Sequence, residues 1–122
     1  MPHSSLITLI PTLKNQRQLC LIGAAVVDIV TETPALPKRG TDVELTEKGI
    51  HVGGCALNIA IALKKLGVES INALPIGQGK WADIITTAMA EKGLTSHLQD
   101  PSGDNGWCLA LVEPDGERTF LS

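Results

Sequence analysis

The chain has 122 residues with 10 basic and 13 acidic side chains, a formal net charge of −3 and 43% hydrophobic residues. This length fits one domain or part of one, and the composition excludes a disordered or low-complexity chain. The pI near 5.5 excludes nucleic-acid binding through a basic face. With two Trp, one Phe and no Tyr, the chain also lacks a stacking platform for single-stranded nucleic acid.

The amino-terminal segment and the cysteines indicate a cytoplasmic protein. No apolar run approaches the about 18 residues that a membrane span needs, so we expect no membrane partner. The apolar patch around Pro11 lacks the features of a signal peptide, and we interpret residues 1–17 as a leader segment outside the core. The three Cys are widely spaced and the three His show no metal spacing, so we expect neither disulfides nor a metal site.

The first half of the chain predicts two extended regions with a connection between them. Residues 18–23 form a short apolar run that ends at a glycine, which predicts a buried strand. The apolar residues continue to Val30 and are broken only by Asp28. Prolines between residues 33 and 40 predict a connection. Alternating apolar residues at 42–52 predict exposed strands with one apolar face.

Two helices follow. A nearly all-apolar helix is predicted from Cys55 to Leu66, after a glycine pair and before Gly67, and this composition predicts burial on two sides. Residues 70–76 predict a strand. A second helix is predicted over residues 80–92, because its apolar side chains form one stripe: Trp81, Ile84, Ile85, Ala88 and Met89.

The chain ends in a predicted hairpin, in which residues 106–113 and 117–121 flank the turn Pro114-Asp115-Gly116. The order of strands and helices predicts an α/β class with a parallel, wound sheet. Two core strands and two helices are few for an independent α/β domain, so we interpret the chain as a fragment.

Two patterns carry candidate binding residues. The pair Gly53-Gly54 precedes a helix start and lets the backbone approach a ligand, and Asn58 lies one turn in, where its amide can donate and accept. The alternative is a tight turn with a buried Asn bonded to local backbone. Asp28 is predicted just past the carboxyl end of the first strand, where open α/β sheets bind ligands. The alternative is a helix-capping or turn aspartate.

Two further interpretations compete with these. The sequence Gly77-x-Gly79-x-x-Ala82, with Asp100 further on, matches a relaxed dinucleotide fingerprint and suits an oxidoreductase fragment. The alternative is an ordinary strand-to-helix turn. The exposed strands also suit a non-catalytic binding or dimerising module, because strand edges can pair.

Taken together, the chain resembles the ribokinase-like (PfkB) family of carbohydrate kinases from about Leu19 to Ser122. The resemblance rests on IGAAVVD, then PxxG at residues 37–40, VGGCALNIAIALKKLG, ALPIGQGKWA and GWCLALVEPDGERTFLS, in that order. Within the family the chain is most similar to an uncharacterised bacterial sugar-kinase branch.

The resemblance implies the N-terminal part of an α/β sandwich with a small β lid at residues 40–52 and 106–121, through which a homodimer can form. It implies an ATP-dependent kinase that phosphorylates a hydroxyl of a sugar or nucleoside, with Mg²⁺ accompanying the nucleotide. The substrate-binding residues that it implies are Asp28, Gly53, Gly54 and Asn58, and the Asp28 and Asn58 side chains are expected to share one cleft.

The resemblance also implies what this chain lacks. The catalytic base and the nucleotide pocket belong to the C-terminal part of the family fold, so we expect no catalytic residue, no metal and no bound cofactor in this chain, which alone should be inactive. Three positions depart from the family pattern: Val26 replaces an Asn, Cys55 a Lys and Gly79 an Asp. These departures predict a less polar or differently shaped substrate than ribose.

Overall fold

The computed structural model describes Thr8 and residues 18–122, so the leader segment predicted at residues 1–17 lies, apart from Thr8, outside the described residues. From residue 18 onward, the elements in chain order are β1 (Leu19–Ile22), β2 (Val26–Glu32), β3 (Thr46–Gly53), α1 (Cys55–Lys65), β4 (Ser70–Ala73), α2 (Lys80–Glu91), β5 (Trp107–Val112) and β6 (Arg118–Leu121).

The strands form two sheets. β1 and β4 pair in parallel as a two-stranded sheet, and α1 connects them along the chain. The other sheet has the order β3-β2-β5-β6. In it β2 and β5 run parallel, whereas the β2–β3 and β5–β6 pairs are antiparallel. The predicted α/β class is therefore confirmed.

The helices begin and end where the sequence predicts. Helix α1 ends at Lys65, and Gly67, after the capping residue Leu66, has φ +74°, which is the left-handed conformation that ends helices. In α2 the side chains of Ile85 and Met89 are buried, as the predicted stripe requires. The helices cover different sheets, since α1 packs on β1 and β4 while α2 packs on β2 and β3.

Two burial predictions are wrong. Strand β1 was predicted to be buried, yet Leu19 and Ile22 are 38% and 80% exposed. Helix α1 was predicted to be buried on two sides, yet Ile59 is 50% exposed. The reason is the same for both, because the described residues supply only one neighbouring layer to each element. Within residues 18–122, β1 and α1 are therefore each covered on one side only.

The extended regions are confirmed with changed bounds. Of the strands predicted within residues 42–52, one forms, from Thr46 to Gly53, and residues 42–45 are not part of it. The strand predicted at 70–76 ends at Ala73, before Pro75, which has no backbone N–H to donate to a sheet. The predicted hairpin forms, and its turn is closed by a hydrogen bond of 2.9 Å from the Glu113 N–H to the Glu117 carbonyl oxygen.

One apolar core joins both sheets. Val27 of β2 and Ile85 of α2 are fully buried in it, together with Ala60 of α1 and Leu74 after β4. Because close-packed apolar side chains resist displacement, this core fixes the four-stranded sheet relative to both helices. It thereby fixes the polar residues at the start of β2 against the start of α1.

Candidate functional site

Asp28 lies inside the four-stranded sheet. The sequence prediction that it directly follows the first strand is wrong, because β1 ends at Ile22 and a second strand, β2, begins at Val26. Asp28 pairs in register with His51 on β3 and with Cys108 on β5. Residues directly opposite each other in a sheet share a face, so a carboxylate, an imidazole and a thiol project from the same side.

The Cys108 thiol holds one oxygen of this carboxylate. Its Sγ donates to Oδ1 of Asp28 at 2.8 Å. Burial raises the pKa of Cys108, and the hydrogen bond to Asp28 and its negative charge raise it further, to about 11. The thiol therefore stays protonated at neutral pH and remains a hydrogen-bond donor to the carboxylate.

The other carboxylate oxygen is directed towards the start of α1. A Cβ atom on Gly53 would lie only 2.8 Å from Oδ2 of Asp28, so any side chain at this position would displace the carboxylate. The His51 ring leans the opposite way along β3, because a Cβ on Gly49 would lie 3.3 Å from its Nε2 atom. Oδ2 of Asp28 thus faces Gly53, the first glycine of the pair.

Gly54 allows the chain to turn from β3 into α1. Its φ is +104°, and a Cβ atom there would overlap the carbonyl oxygen of Ala24. Its own carbonyl oxygen accepts the Asn58 N–H at 3.0 Å, which starts the helix. The second glycine is therefore required both by its backbone angles and by the close approach of the β1–β2 connection.

The structure brings together three of the four predicted binding residues and places the fourth one turn further on. Asp28, Gly53 and Gly54 are neighbours, and Asn58 follows on α1 with an exposed side chain. Among residues 18–122 no hydrogen bond to its side-chain amide occurs, so the alternative of a buried, locally bonded Asn is wrong. The capping or turn alternative for Asp28 is also wrong, because Asp28 is a strand residue. A cleft shared by the Asp28 and Asn58 side chains stays a prediction.

The start of α1 is electrostatically suited to the carboxylate beside it. A helix N-terminus carries partial positive charge from its free N–H groups. In α1 this end has no acidic residue in its first turn and no side-chain cap. A carboxylate, an amide and two glycine backbones can together accept from and donate to adjacent hydroxyl groups.

The glycine-rich turn before α2 serves another purpose than dinucleotide binding. The N–H groups of Trp81 and Ala82 donate to the carboxylate of Asp104, at 3.1 and 2.8 Å. A pyrophosphate would need these donors at the helix start, and a negatively charged side chain already occupies them. The dinucleotide interpretation is therefore not supported.

Sequence reasoning missed Cys108, Asp104 and Asn105. Cys108 and Asp28 are 80 residues apart, and no short-range pattern indicates which β5 residue lies opposite a given β2 residue. Within the part of the chain that the structure describes, no group of three or more His, Cys, Asp or Glu side chains could hold a metal ion. Of the helices described, none has the length and apolar character to cross a membrane.

Comparison with known proteins identifies the relatives of this chain. Residues 16–122 match the profile of the pfkB family carbohydrate kinases. The chain is 56% identical over 122 residues to the uncharacterized sugar kinase YegV of Escherichia coli (strain K12), a match that covers 100% of this chain and 38% of that protein. The chain thus spans well under half of the length of this relative.

Solved structures share the fold. The ribokinase of Giardia lamblia superposes with a TM-score of 0.75 at 21% identity, over 87% of this chain and 35% of that one. The ribokinase of Cryptococcus neoformans var. grubii serotype A in complex with ADP superposes with a TM-score of 0.67 at 20% identity, over 86% of this chain and 34% of that one.

Proposed function

Since the chain belongs to the pfkB family of carbohydrate kinases, we propose that the protein carrying it transfers the γ-phosphoryl group of ATP to a hydroxyl of a sugar or nucleoside. The observation that carries this proposal is the Asp28 carboxylate, held by Cys108 and facing the glycine pair at the start of α1. In this reading the chain contributes the substrate site and the lid.

Each substrate-binding residue has a distinct role in the proposal. Asp28 accepts a hydrogen bond from a sugar hydroxyl through Oδ2, because Oδ1 is taken by the thiol. Gly53 and Gly54 let the sugar approach the backbone, since neither carries a side chain. Asn58 donates to one hydroxyl and accepts from another. Hydrogen-bonding groups that the bound substrate buries reject analogues that lack the hydroxyl, because the groups would be left unpaired.

The nucleotide belongs to the rest of the protein in this proposal. A fungal ribokinase of the same fold was solved with ADP, which supports ATP as the phosphoryl donor, and we assign Mg²⁺ to the nucleotide phosphates. Phosphoryl transfer requires the phosphates to be positioned and a base to take the hydroxyl proton. We assign neither task to residues 18–122, so this segment alone should have no kinase activity.

Two departures from the family pattern bear on the substrate. Val26, at the first position of β2, and Cys55, the first residue of α1, stand where an amide and an ammonium occur in ribokinases. Both lie beside the Asp28 carboxylate and the glycine pair along the chain. Without these polar groups the site is better suited to a substrate with fewer hydroxyls, or with hydroxyls in other places, than ribose has.

The strands of the proposed lid, residues 40–52 and 106–121, are β3, β5 and β6 of the four-stranded sheet. Its outer strands, β3 and β6, have unpaired edges in the described chain. Ile50 and Phe120 on these strands are 45% and 58% exposed. These features support a homodimer through the lid. The cytoplasmic location and the leader at residues 1–17 stay predictions from the sequence.

The proposal is tested with the full-length protein and a panel of pentoses, deoxypentoses, hexoses and nucleosides, with ADP release as the measurement. One class should be phosphorylated, and Asp28→Ala should lower kcat/KM for it by up to about 10⁴-fold. Asp100→Ala is the matched control, because Asp100 is an exposed carboxylate that bonds Ser102 of its own turn, and it should leave the rate unchanged. Absence of sugar-dependent ADP release, or an Asp28→Ala variant as active as the parent, would overturn the proposal.

A further inference from the structure

No side chain at the capping position of helix α2 binds the free N–H groups of its first turn. Its capping position is Gly79, with φ +144° and no side chain to accept the free N–H groups of the first turn. Most helices satisfy these donors with a Ser, Thr, Asp or Asn at this position, and losing such a cap destabilises the helix start. The donors of α2 must therefore be satisfied from elsewhere.

Asp104 satisfies them from a loop that is distant along the chain. Its Oδ2 accepts the Trp81 N–H at 3.1 Å and its Oδ1 accepts the Ala82 N–H at 2.8 Å. These are the second and third residues of the helix, whose N–H groups a local capping side chain would bind. Asp104 thus acts as a helix cap from 22 and 23 residues away.

The two glycines of the turn make room for this loop. A Cβ atom on Gly79 would overlap the carboxylate of Asp104, and a Cβ atom on Gly77 would overlap the carbonyl oxygen of Gly103. That carbonyl oxygen accepts the Gln78 N–H at 2.8 Å. The turn and the loop therefore fit each other along several residues rather than at one contact.

Asn105 extends the contact to two further segments. Its side-chain oxygen accepts the Gly77 N–H at 2.9 Å. Its side-chain nitrogen donates to the carbonyl oxygen of Pro75 at 2.9 Å and to that of Ala25 at 3.4 Å. A single amide thus bonds the turn before α2, the segment after β4 and the residue before β2. Strand β2 is the first strand of the four-stranded sheet along the chain.

The contact continues into strand β5. Gly106 accepts the Val27 N–H at 3.1 Å, and Trp107 stacks on Trp81 with 5.6 Å between the ring centroids. The next residue, Cys108, holds the carboxylate of Asp28. Asp104 is therefore four positions before the thiol that orients the proposed substrate-binding carboxylate.

We propose that Asp104 and Asn105 form a clasp that fastens the four-stranded sheet to the start of α2, and that they are positioning residues for Asp28. The clasp sets where β5 begins, the register of β5 sets where Cys108 lies, and Cys108 orients Asp28. The positioning part rests on the proposed function, whereas the clasp itself does not.

The clasp is tested by amide hydrogen exchange and near-ultraviolet circular dichroism of the full-length protein. Asp104→Ala should speed exchange at Trp81 and Ala82 by about tenfold, since the cap is lost, and should change the dichroism signal of the stacked Trp81–Trp107 pair. Asp104→Asn should fall between Asp104→Ala and the parent, because its single amide oxygen can accept only one of the two N–H groups that the carboxylate binds. Asp100→Ala is the control, because this exposed carboxylate bonds only Ser102 in its own turn. Equal exchange in Asp104→Ala and the parent would overturn the clasp.

Kinetics test the positioning role separately. In the same protein Asp104→Ala should raise the KM for the sugar by about tenfold and leave the KM for ATP unchanged, with a smaller rise in Asp104→Asn, which keeps one acceptor oxygen. Faster exchange with an unchanged sugar KM would overturn the positioning role while the clasp stands. If the parent phosphorylates no sugar, the proposed function fails and the exchange result still decides the clasp.

A second variant is available if Asp104→Ala does not fold. Asn105→Asp keeps an oxygen to accept the Gly77 N–H but loses the donor to the carbonyl oxygens of Pro75 and Ala25. It should raise the sugar KM in the same direction as Asp104→Ala. A parent-like KM and parent-like dichroism in Asn105→Asp would contradict the proposal.

Discussion

At the scale of single residues, the pairing of Asp28 with Cys108 has a chemical consequence that can be measured without substrate. Burial and the neighbouring carboxylate raise the pKa of the Cys108 thiol to about 11, whereas Cys20 and Cys55 are exposed. Thiolates, not thiols, are alkylated. The alkylation rate of Cys108 therefore reports on its contact with Asp28, and Cys20 and Cys55 are the internal references.

We predict that Cys108 is alkylated by iodoacetamide at pH 8 much more slowly than Cys20 and Cys55, because a thiol of pKa about 11 is only about 0.1% ionised there. Peptide mass spectrometry over a time course gives the three rates. Asp28→Asn should speed alkylation of Cys108, since the charge that opposes ionisation is removed. A Cys108 rate equal to that of Cys55 in the parent would contradict the thiol–carboxylate contact.

At the scale of elements, the two helices differ in how the free N–H groups at their starts are satisfied. Both begin after a glycine and neither has a cap from its own sequence. In α2 the N-terminal donors are bound by Asp104 of a distant loop, whereas α1 begins beside Asp28 without a side-chain cap. The start of α2 is thus bonded to a distant loop, whereas the start of α1 is accessible beside the proposed substrate site.

The stabilisation of α2 by the Asp104 carboxylate should depend on pH. Burial raises the pKa of Asp104, but the N–H groups of Trp81, Ala82 and Asn105 outweigh this and place it below the ordinary value of 3.8. The stabilisation is therefore complete above pH 3.8 and is lost as the pH falls through the folded-state pKa. We predict that amide exchange in the first turn of α2 speeds up below pH 3.8, relative to the last turn of the same helix.

The matched variant for this experiment is Asp104→Asn, which does not titrate and should show no such pH dependence. Lys80 and Asp83 also lie in the first turn of α2, and both remain in the variant, so the difference between the two proteins isolates Asp104. Asp100, whose pKa is lowered by the hydroxyl and the N–H of Ser102, remains as well. The same acid response in both proteins would contradict the assignment to Asp104.

At the scale of the whole molecule, the described chain combines a well-packed interior with exposed apolar side chains elsewhere. The interior between α2 and the four-stranded sheet contains fully buried Val27 and Ile85. Away from it, the two-stranded sheet, α1 and the residue after α1 expose several large apolar side chains, namely Leu19, Ile22, Ile59, Leu66 and Ile71. Apolar patches of this kind mark surfaces that other protein covers.

We predict that the 122-residue chain, expressed by itself, associates and binds the dye ANS, because these apolar side chains are uncovered in it. Ile22 is 80% exposed, so Ile22→Lys should reduce association and dye binding at little cost to folding. Analytical ultracentrifugation and dye fluorescence measure both effects. Asp42→Lys, a change at an exposed residue of the β2–β3 connection, is the control, and a monomeric parent without dye binding would contradict the prediction.

The sequence alone determined the features that depend on neighbours along the chain. The helix bounds follow from glycines and apolar periodicity, and the hairpin follows from its Pro-Asp-Gly turn, because these signals act within a few residues. Residue patterns of this kind were also enough to indicate the α/β class and the family. They placed Gly53, Gly54 and Asn58 correctly at the start of α1.

Only the tertiary structure decided how distant segments meet. Asp28 was assigned to the end of β1, and its place opposite Cys108 was missed, because a strand's register depends on partners 80 residues away. The glycines of the turn before α2 indicated a bound dinucleotide, whereas in the structure Gly79 leaves room for the side chain of Asp104. Burial of β1 and α1 was overestimated because hydrophobicity states what a side chain favours, while exposure depends on whether another layer is present to cover it.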